Sequence, residues 1–486
     1  MDKRIIQSTK WSGLTELLSK LLAPLVNIAL ARLLTPEVFG VVATLTLVTS
    51  FADVFTDAGF QKYLVQHEFR DERDREESTN VAFWTNFGFS CLIWVVIFLL
   101  RDGIAELVGS RGYGVEVAVM SLHIPMTSLS SIQTALYRRD FRFKQLLPIR
   151  LITCLVPLFV TLPLAILLRN CWAIIIGTLA KEIVFMSALT IRSDWKPRLF
   201  YSVSRLKEML SFSLTLLADS FMIWFTSHAG IFIVGRFLDP YHVGIFKTGI
   251  STITVYVNLF YTITAPVFFA GLSRAQAKKD ECDHIYHSFQ RYCALLIIPF
   301  GFGVFLYRNF VTQVLLGGQW ADAALLLGGT ALGLSYTIVT AQFNSDYFRA
   351  LGKPKVALFV QTTYAIVMSV VLLWAVKQPF VMLCITQTCL RFVYSAISTA
   401  VLCVVFRINC LKIVGNLLCP TIASGIMAVA AILLQSVSSG IGWTIVSILL
   451  CMLVYFAGLL LLPPSRKELF SLPLVKRLRE NAKENA

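Results

Sequence analysis

Charge is scarce in this sequence. Only 15% of its residues are Asp, Glu, Lys or Arg, 56% are hydrophobic, and the mean hydropathy is +0.71. A water-soluble domain carries roughly 25% charged residues. A soluble fold has nowhere to put this much apolar surface, so the bilayer is the natural solvent. No C-x-x-C pair occurs among the 11 cysteines. That argues against a disulfide framework or a zinc site. Cys91, Cys154, Cys293, Cys384 and Cys389 sit in apolar stretches and read as small buried hydrophobes. P-loops, metal-ligand motifs and nucleophile elbows are also missing, which argues against ATP-driven transport by this chain alone. Acids are fewer than bases, 28 Asp and Glu against 43 Lys and Arg, for a net charge of +15. In a soluble chain such an excess suggests nucleic acid. Here the bases stand in short loops between apolar runs, so topology accounts for them and no nucleic-acid partner is expected.

Apolar runs of about 20 residues, enough to cross a hydrocarbon core of roughly 30 Å, recur along the chain. The spans read as 11–34, 38–64, 79–101, 115–137, 148–168, 171–191, 208–234, 242–271, 288–313, 321–347, 356–376, 379–404, 415–436 and 441–463. The first is too long for a signal-peptide core and reads as an uncleaved helix. With the N-terminus inside, the inner segments hold 30 Lys and Arg. The outer ones hold only Arg101, Arg111, Arg169, Arg236, Arg308 and Lys377. Cationic residues accumulate on the cytoplasmic side. The expected fold is an all-α polytopic membrane protein of about fourteen transmembrane helices, N-in and C-in. The mixed-sign stretch 68–77 reads as a solvated loop. The tail after Pro463-Pro464 reads as a basic helix lying on the membrane surface.

An internal repeat is visible. Leu30-Ala-Arg32-Leu-Leu-Thr-Pro36-Glu-Val-Phe-Gly40 recurs 204 residues later as Val234-Gly-Arg236-Phe-Leu-Asp-Pro240-Tyr-His-Val-Gly244. Gln133–Lys144 and Gln342–Lys355 echo each other as basic exits from a span. Six spans separate the repeat starts, so the halves are parallel. Such repeats are related by an axis along the membrane normal and enclose a substrate path in alternating-access transporters. The expected units are a six-helix lobe at 1–204, a second at 205–412, and an extra helix pair with a basic tail at 413–486.

The motif Arg32-Leu-Leu-Thr-Pro36-Glu-Val-Phe-Gly40 precedes an apolar helix ending in Asp57-Ala-Gly59-Phe60, and a later basic exit runs Leu136-Tyr-Arg138-Arg139-Asp-Phe-Arg142-Phe143. Together they resemble the bacterial polysaccharide flippases of the multidrug/oligosaccharidyl-lipid/polysaccharide transporter superfamily. Within these, the chain looks most like exopolysaccharide or O-antigen (lipopolysaccharide) exporters. The resemblance covers essentially the whole chain. It implies two six-helix lobes around a central cavity in the bacterial inner membrane. It also implies an undecaprenyl-pyrophosphate-linked oligosaccharide as substrate, flipped to the outer leaflet among membrane lipids. The polysaccharide polymerase and export machinery are the partners it suggests.

Ionisable groups inside a span are costly and usually face a cavity or a partner. Lys247, Ser251, Thr254, Asn258 and Thr262 lie within about 80° on one helix face. A cation suits pyrophosphate, and hydroxyls and amides suit sugars. The alternative is a polar seam between helices. His123, Thr127, Ser130, Thr134 and Arg138 repeat the pattern on another span, and His123 titrates in the range a proton carrier needs or serves as a hydrogen-bonded structural residue. Glu16 and Lys20 stand four apart and either neutralise each other or line the cavity. Asp53 and Asp57, also four apart, form a proton or sodium candidate, as does Asp346. Asp219 and Arg391 look deepest in the bilayer. No resident cofactor is expected, only proton or sodium coupling.

Three functions compete. They are a lipid-linked oligosaccharide flippase, a cation-coupled multidrug exporter of the same superfamily, and a membrane-embedded glycan polymerase. Lys20, Lys181, Lys247 and Arg391 add cations inside the membrane, which favours an anionic cargo. A polymerase needs a large external loop, and the longest here, around 102–114, is too short. A transporter and not an enzyme is therefore expected.

Overall fold

A computed structural model describes residue 22 and residues 24–461, less 58, 59, 277 and 439, and the side chains of 56, 57 and 211–219 are left aside. Among the described residues every regular element is a helix. These are α1 (Pro24–Leu33), α2 (Pro36–Asp57), α3 (Phe60–Gln66), α4 (Glu72–Leu99), α5 (Arg101–Leu107), α6 (Gly114–Met120), α7 (His123–Arg139), α8 (Phe143–Val156), α9 (Leu162–Leu168) and α10 (Cys171–Arg192). They continue with α11 (Val203–Phe237), α12 (Pro240–Ala275), α13 (Lys279–Leu306), α14 (Arg308–Leu315), α15 (Ala323–Thr337), α16 (Phe343–Ala350), α17 (Pro354–Ala375), α18 (Phe380–Phe406), α19 (Cys410–Val437) and α20 (Ile441–Leu461). Twelve helical stretches are long and apolar enough to cross a membrane. Two further expected spans are not among them. Span 11–34 lies mostly outside the described residues, and 208–234 falls within α11. The chain is a multi-pass, all-helical membrane protein.

The structure redraws several boundaries. The stretch expected as a solvated loop at 68–77 is largely helix. Asp71 caps α4 by accepting from the Asp74 N–H at 2.7 Å, so the helix starts at Glu72. Span 115–137 breaks at Ser121–Leu122, between α6 and α7, just ahead of Pro125. Proline has no N–H to continue the ladder. Spans 38–64 and 288–313 likewise divide, into α2 and α3 and into α13 and α14. The spans 143–168 and 323–350 each carry a π-helical turn, at Pro157–Thr161 and Ile338–Gln342.

By packing, one compact unit comprises residues 1–248 with 372–377, and the other comprises 249–371 with 378–486. The first unit shows why the repeated motif carries its glycine. Pro36 and Pro240 each open a helix at the position where a missing N–H is harmless. A Cβ on Gly40 would stand 1.8 Å from the Pro240 carbonyl oxygen, and one on Gly244 would stand 1.8 Å from the Pro36 oxygen. The two motifs therefore meet reciprocally, backbone against backbone, and only glycine allows that approach. Nearby, the Thr44 and Ser110 hydroxyls share a 2.5 Å hydrogen bond. The core of this unit gathers Leu45, Ile97, Val117, Ile124 and Ile175 from five helices.

In the second unit, the stretch Ala323–Ala350 is the enclosed centre. Its apolar window is 83% buried, against 28% for Cys410–Val437 and for Ile441–Leu461. The C-terminal pair α19 and α20 packs on α13 through Leu295, Met427, Cys451 and Tyr455. Its other side exposes Leu433, Val437 and Leu453, as a lipid-facing surface should. Tyr455 donates to the Leu295 carbonyl at 2.7 Å and Tyr307 donates to Ser447 at 3.0 Å, fixing the pair within the membrane.

Candidate functional site

The first unit concentrates ionisable groups on one histidine. His123 opens α7 directly after the mid-span break, where the ring is freed from a continuous helix above it. Its Nε2 lies 3.6 Å from Glu182 Oε1 on α10, and its Nδ1 lies 3.9 Å from Asp53 Oδ1 on α2. The Thr127 hydroxyl, one turn along α7, is 3.2 Å from Nδ1. Glu182 Oε1 also pairs with Lys181 Nζ at 3.1 Å. The side chains of Glu182 and His123 are only 9% and 17% exposed, so the group is screened from bulk water. Sequence pattern identified His123 and Asp53 separately and passed over Glu182. Lys181, counted above as an intramembrane cation for cargo, is instead neutralised by its neighbour Glu182.

At its far end α7 is held by charge. Arg75 grips Asp140 through both carboxylate oxygens, at 2.9 and 3.0 Å. Arg142 pairs with Asp194, and that hydrogen bond holds its guanidinium above its ordinary value. Arg139 donates to the Leu64 and His67 carbonyls at 2.6 Å each and lies 4.4 Å over the Phe69 ring, capping α3. Arg138, assigned above to the cavity mouth, is exposed.

Along α12, Lys247, Ser251, Thr254, Asn258 and Thr262 are each half-buried, as a shared polar face requires. Thr254 and Thr262 donate to the Ile250 and Asn258 carbonyls at 2.6 and 2.8 Å, which leaves their oxygens able to accept. Among the described residues Lys247 has no hydrogen bond or ion pair. Arg391, in the first half of α18, is also half-buried. Its aliphatic stem runs against Gly333 of α15, where a Cβ would come within 2.9 Å of it. Its Nε reaches no acceptor, and no described carboxylate comes within ion-pair distance of the guanidinium. Leaving a buried cation unpaired is expensive in a folded protein.

The other polar groups of the second unit satisfy one another. Tyr286 donates to Asn344 at 2.5 Å, and Asn344 donates to Ser398 at 3.1 Å. Gln290 donates to the Val339 carbonyl at 3.2 Å, and Asn416 reaches Gln290 at 3.1 Å. Tyr261 donates to Asp346 at 2.7 Å. Asp346, an ion-coupling candidate above, is thus held in a hydrogen bond. Glu16 and Lys20 lie outside the described residues, as do the side chains of Asp57 and Asp219.

The family model described as "Polysaccharide biosynthesis protein" matches residues 29–325, more than half of the chain. The chain belongs to the polysaccharide biosynthesis protein family. Relatives of this family member include the succinoglycan biosynthesis transport protein ExoT of Rhizobium meliloti, 23% identical over 67% of this chain and 65% of that protein. The lipopolysaccharide biosynthesis protein WzxC of Escherichia coli is 20% identical over 66% of this chain and 65% of its own length. The match thus spans just under two thirds of each of these relatives. Among solved structures, the lipid II flippase MurJ in its inward closed conformation superposes with a TM-score of 0.73 at 13% identity, covering 92% of this chain and 98% of that one. An inward-facing multidrug resistance MATE transporter of the MOP superfamily gives 0.63 at 13% identity, covering 81% and 95%. At such identities the likeness is one of fold.

Proposed function

We propose that this protein is a flippase. It moves an oligosaccharide linked to undecaprenyl pyrophosphate from the cytoplasmic to the outer leaflet of the bacterial inner membrane, for assembly of a surface polysaccharide. It works by alternating access between two six-helix lobes, 1–204 and 205–412, in a fourteen-span, N-in and C-in topology that residues 413–486 complete. The observation that carries this reading is the pair of half-buried cations, Lys247 and Arg391, without a described carboxylate partner. A membrane protein keeps such groups for an anion that comes and goes. Arg391 offers a planar fork to a diphosphate and Lys247 a point charge. Ser251, Thr254 and Asn258 suit the sugar hydroxyls. Glu16, Lys20, Asp219 and Arg138 are assigned to the cavity by helical position. The family membership and the names of the relatives support a glycan-lipid cargo. The polymerase and export machinery are the proposed partners. Cargo must bind the two states unequally for the cycle to have a direction.

The test is complementation of a strain lacking the gene. Wild-type chain should restore surface polysaccharide and clear lipid-linked repeat units from the inner leaflet. Lys247→Ala and Arg391→Ala, expressed at wild-type level, should lose about tenfold or more of that activity, the equivalent of one charge-assisted contact. Normal polysaccharide in the deletion strain, with new sensitivity to cationic drugs, would transfer the assignment to a multidrug exporter.

A further inference from the structure

We propose that His123, held between Asp53 and Glu182, is a proton-binding site within the membrane-spanning part of the first unit. The three side chains come from three helices, α7, α2 and α10, and Glu182 lies near the midpoint of its span. Both ring nitrogens face a carboxylate oxygen. Only the imidazolium can donate to both. The neutral ring is accommodated as well. Its Nε2–H then donates to Glu182, and Nδ1 accepts from the Thr127 hydroxyl. On protonation Nδ1–H turns to Asp53, and Thr127 reverts to the His123 carbonyl, to which it also bonds. One side chain thus serves both states without leaving a polar atom stranded.

Charge counting gives the site its purpose. Asp53 and Glu182 carry two negative charges, and Lys181 carries one positive. With His123 neutral the cluster holds one uncompensated negative charge, and one proton brings it to zero. Low dielectric makes the two states differ strongly in their need for water. A proton arriving or leaving would therefore favour different hydration, and hence different conformations, of the surrounding helices. The remaining helices around α7 bring their charges elsewhere. Tyr63 of α3 and Asp74 and Arg75 of α4 stand at its opposite end, where Arg75 meets Asp140. Lys144 of α8 follows that same end in sequence. Glu116 of α6 sits with Cys171 at the start of α10.

This inference deepens the transport reading, since it supplies a coupling ion. Proton binding itself needs no cargo, and the experiment uses none. Full-length protein in proteoliposomes is adsorbed on a solid-supported membrane, and pH is stepped towards acid. Wild type should give a transient charge displacement. His123→Gln should reduce it to about one tenth or less. Glu182→Gln keeps shape without charge and should cut it by about half, while Glu182→Asp keeps the carboxylate and should retain it. An unaltered transient in His123→Gln, or none in wild type, overturns the proposal. If His123→Gln does not fold by size-exclusion chromatography, equal transients in Glu182→Gln and Glu182→Asp overturn it instead. Failure of the flippase reading would appear in the glycan assay and leave this result untouched.

Discussion

The first unit meets the cost of its polar groups with opposite charges, and the second meets it with neutral hydrogen bonds. In the first, Asp53, His123, Glu182 and Lys181 form a chain of charge, and Arg75–Asp140 and Arg205–Asp74 tie helix ends together. In the second, Tyr286, Asn344, Ser398, Gln290 and Asn416 exchange protons only as hydrogen-bond donors. The distinction matters inside a membrane. A charged cluster changes its energy when one proton binds, and a neutral amide and hydroxyl network does not. The same contrast isolates Arg391, a cation in a unit whose other polar groups are matched.

Three stability measurements would sharpen or break this comparison. The largest effect is expected where backbones touch. Gly40→Ala and Gly244→Ala each place a methyl 1.8 Å from a carbonyl oxygen, so α2 and α12 must part. Each should cost about 2 kcal/mol or more, read as a lowered Tm of the purified protein. Because both act on one contact, the double variant should cost clearly less than the sum. Strict additivity would separate the two contacts and undo the account of the repeat.

A smaller loss is expected from Asn344→Ala in the second unit. It strands the Tyr286 hydroxyl in a fully buried site and should cost about 1–2 kcal/mol, with no dependence on pH between mild acid and mild base. A pH-dependent loss would show that the second unit also carries a titrating network.

The smallest effect is at the repeat's second helix start. Asp239 accepts from the His242 N–H at 2.9 Å. Burial works against its charge, but hydrogen bonds from the His242 backbone and ring hold its carboxyl below the usual range. Asp239→Ala should cost about 1 kcal/mol, while Asp239→Asn, an equally good cap, should cost almost nothing at neutral pH. For a carboxyl held low, the stabilisation is present above its unfolded pKa and fades as pH falls through the folded one. Acid should therefore shrink the gap between wild type and Asp239→Ala.

Much of this fold is legible in the sequence because apolar runs and breaks are local signals. The repeated Pro36–Gly40 and Pro240–Gly244 motifs are visible as a pattern, though their reason is not. Nothing local says that each glycine faces the other motif's carbonyl. The site is legible only in part. Lys247, Arg391 and His123 declare themselves as ionisable residues in apolar runs. Glu182 beside Lys181 reads as a self-neutralising neighbour, and its meeting with His123 depends on packing across 59 residues of chain. The second unit's network was hidden for a different reason. Asn344, Gln290 and Ser398 are ordinary polar residues on separate helices, and only tertiary packing turns them into one cluster. The break ahead of His123 was overlooked because a proline at the third position of a new helix looks like a tolerated kink.

The most direct test of the central claim is transbilayer movement itself. Purified protein would be reconstituted with undecaprenyl-pyrophosphate-linked repeat units extracted from the deletion strain, and their exposure to an external glycan-oxidising reagent followed over time. The account predicts protein-dependent movement that falls about tenfold in Arg391→Ala while the variant stays folded. Movement no faster than in protein-free liposomes, or movement that Arg391→Ala leaves unchanged, would contradict it.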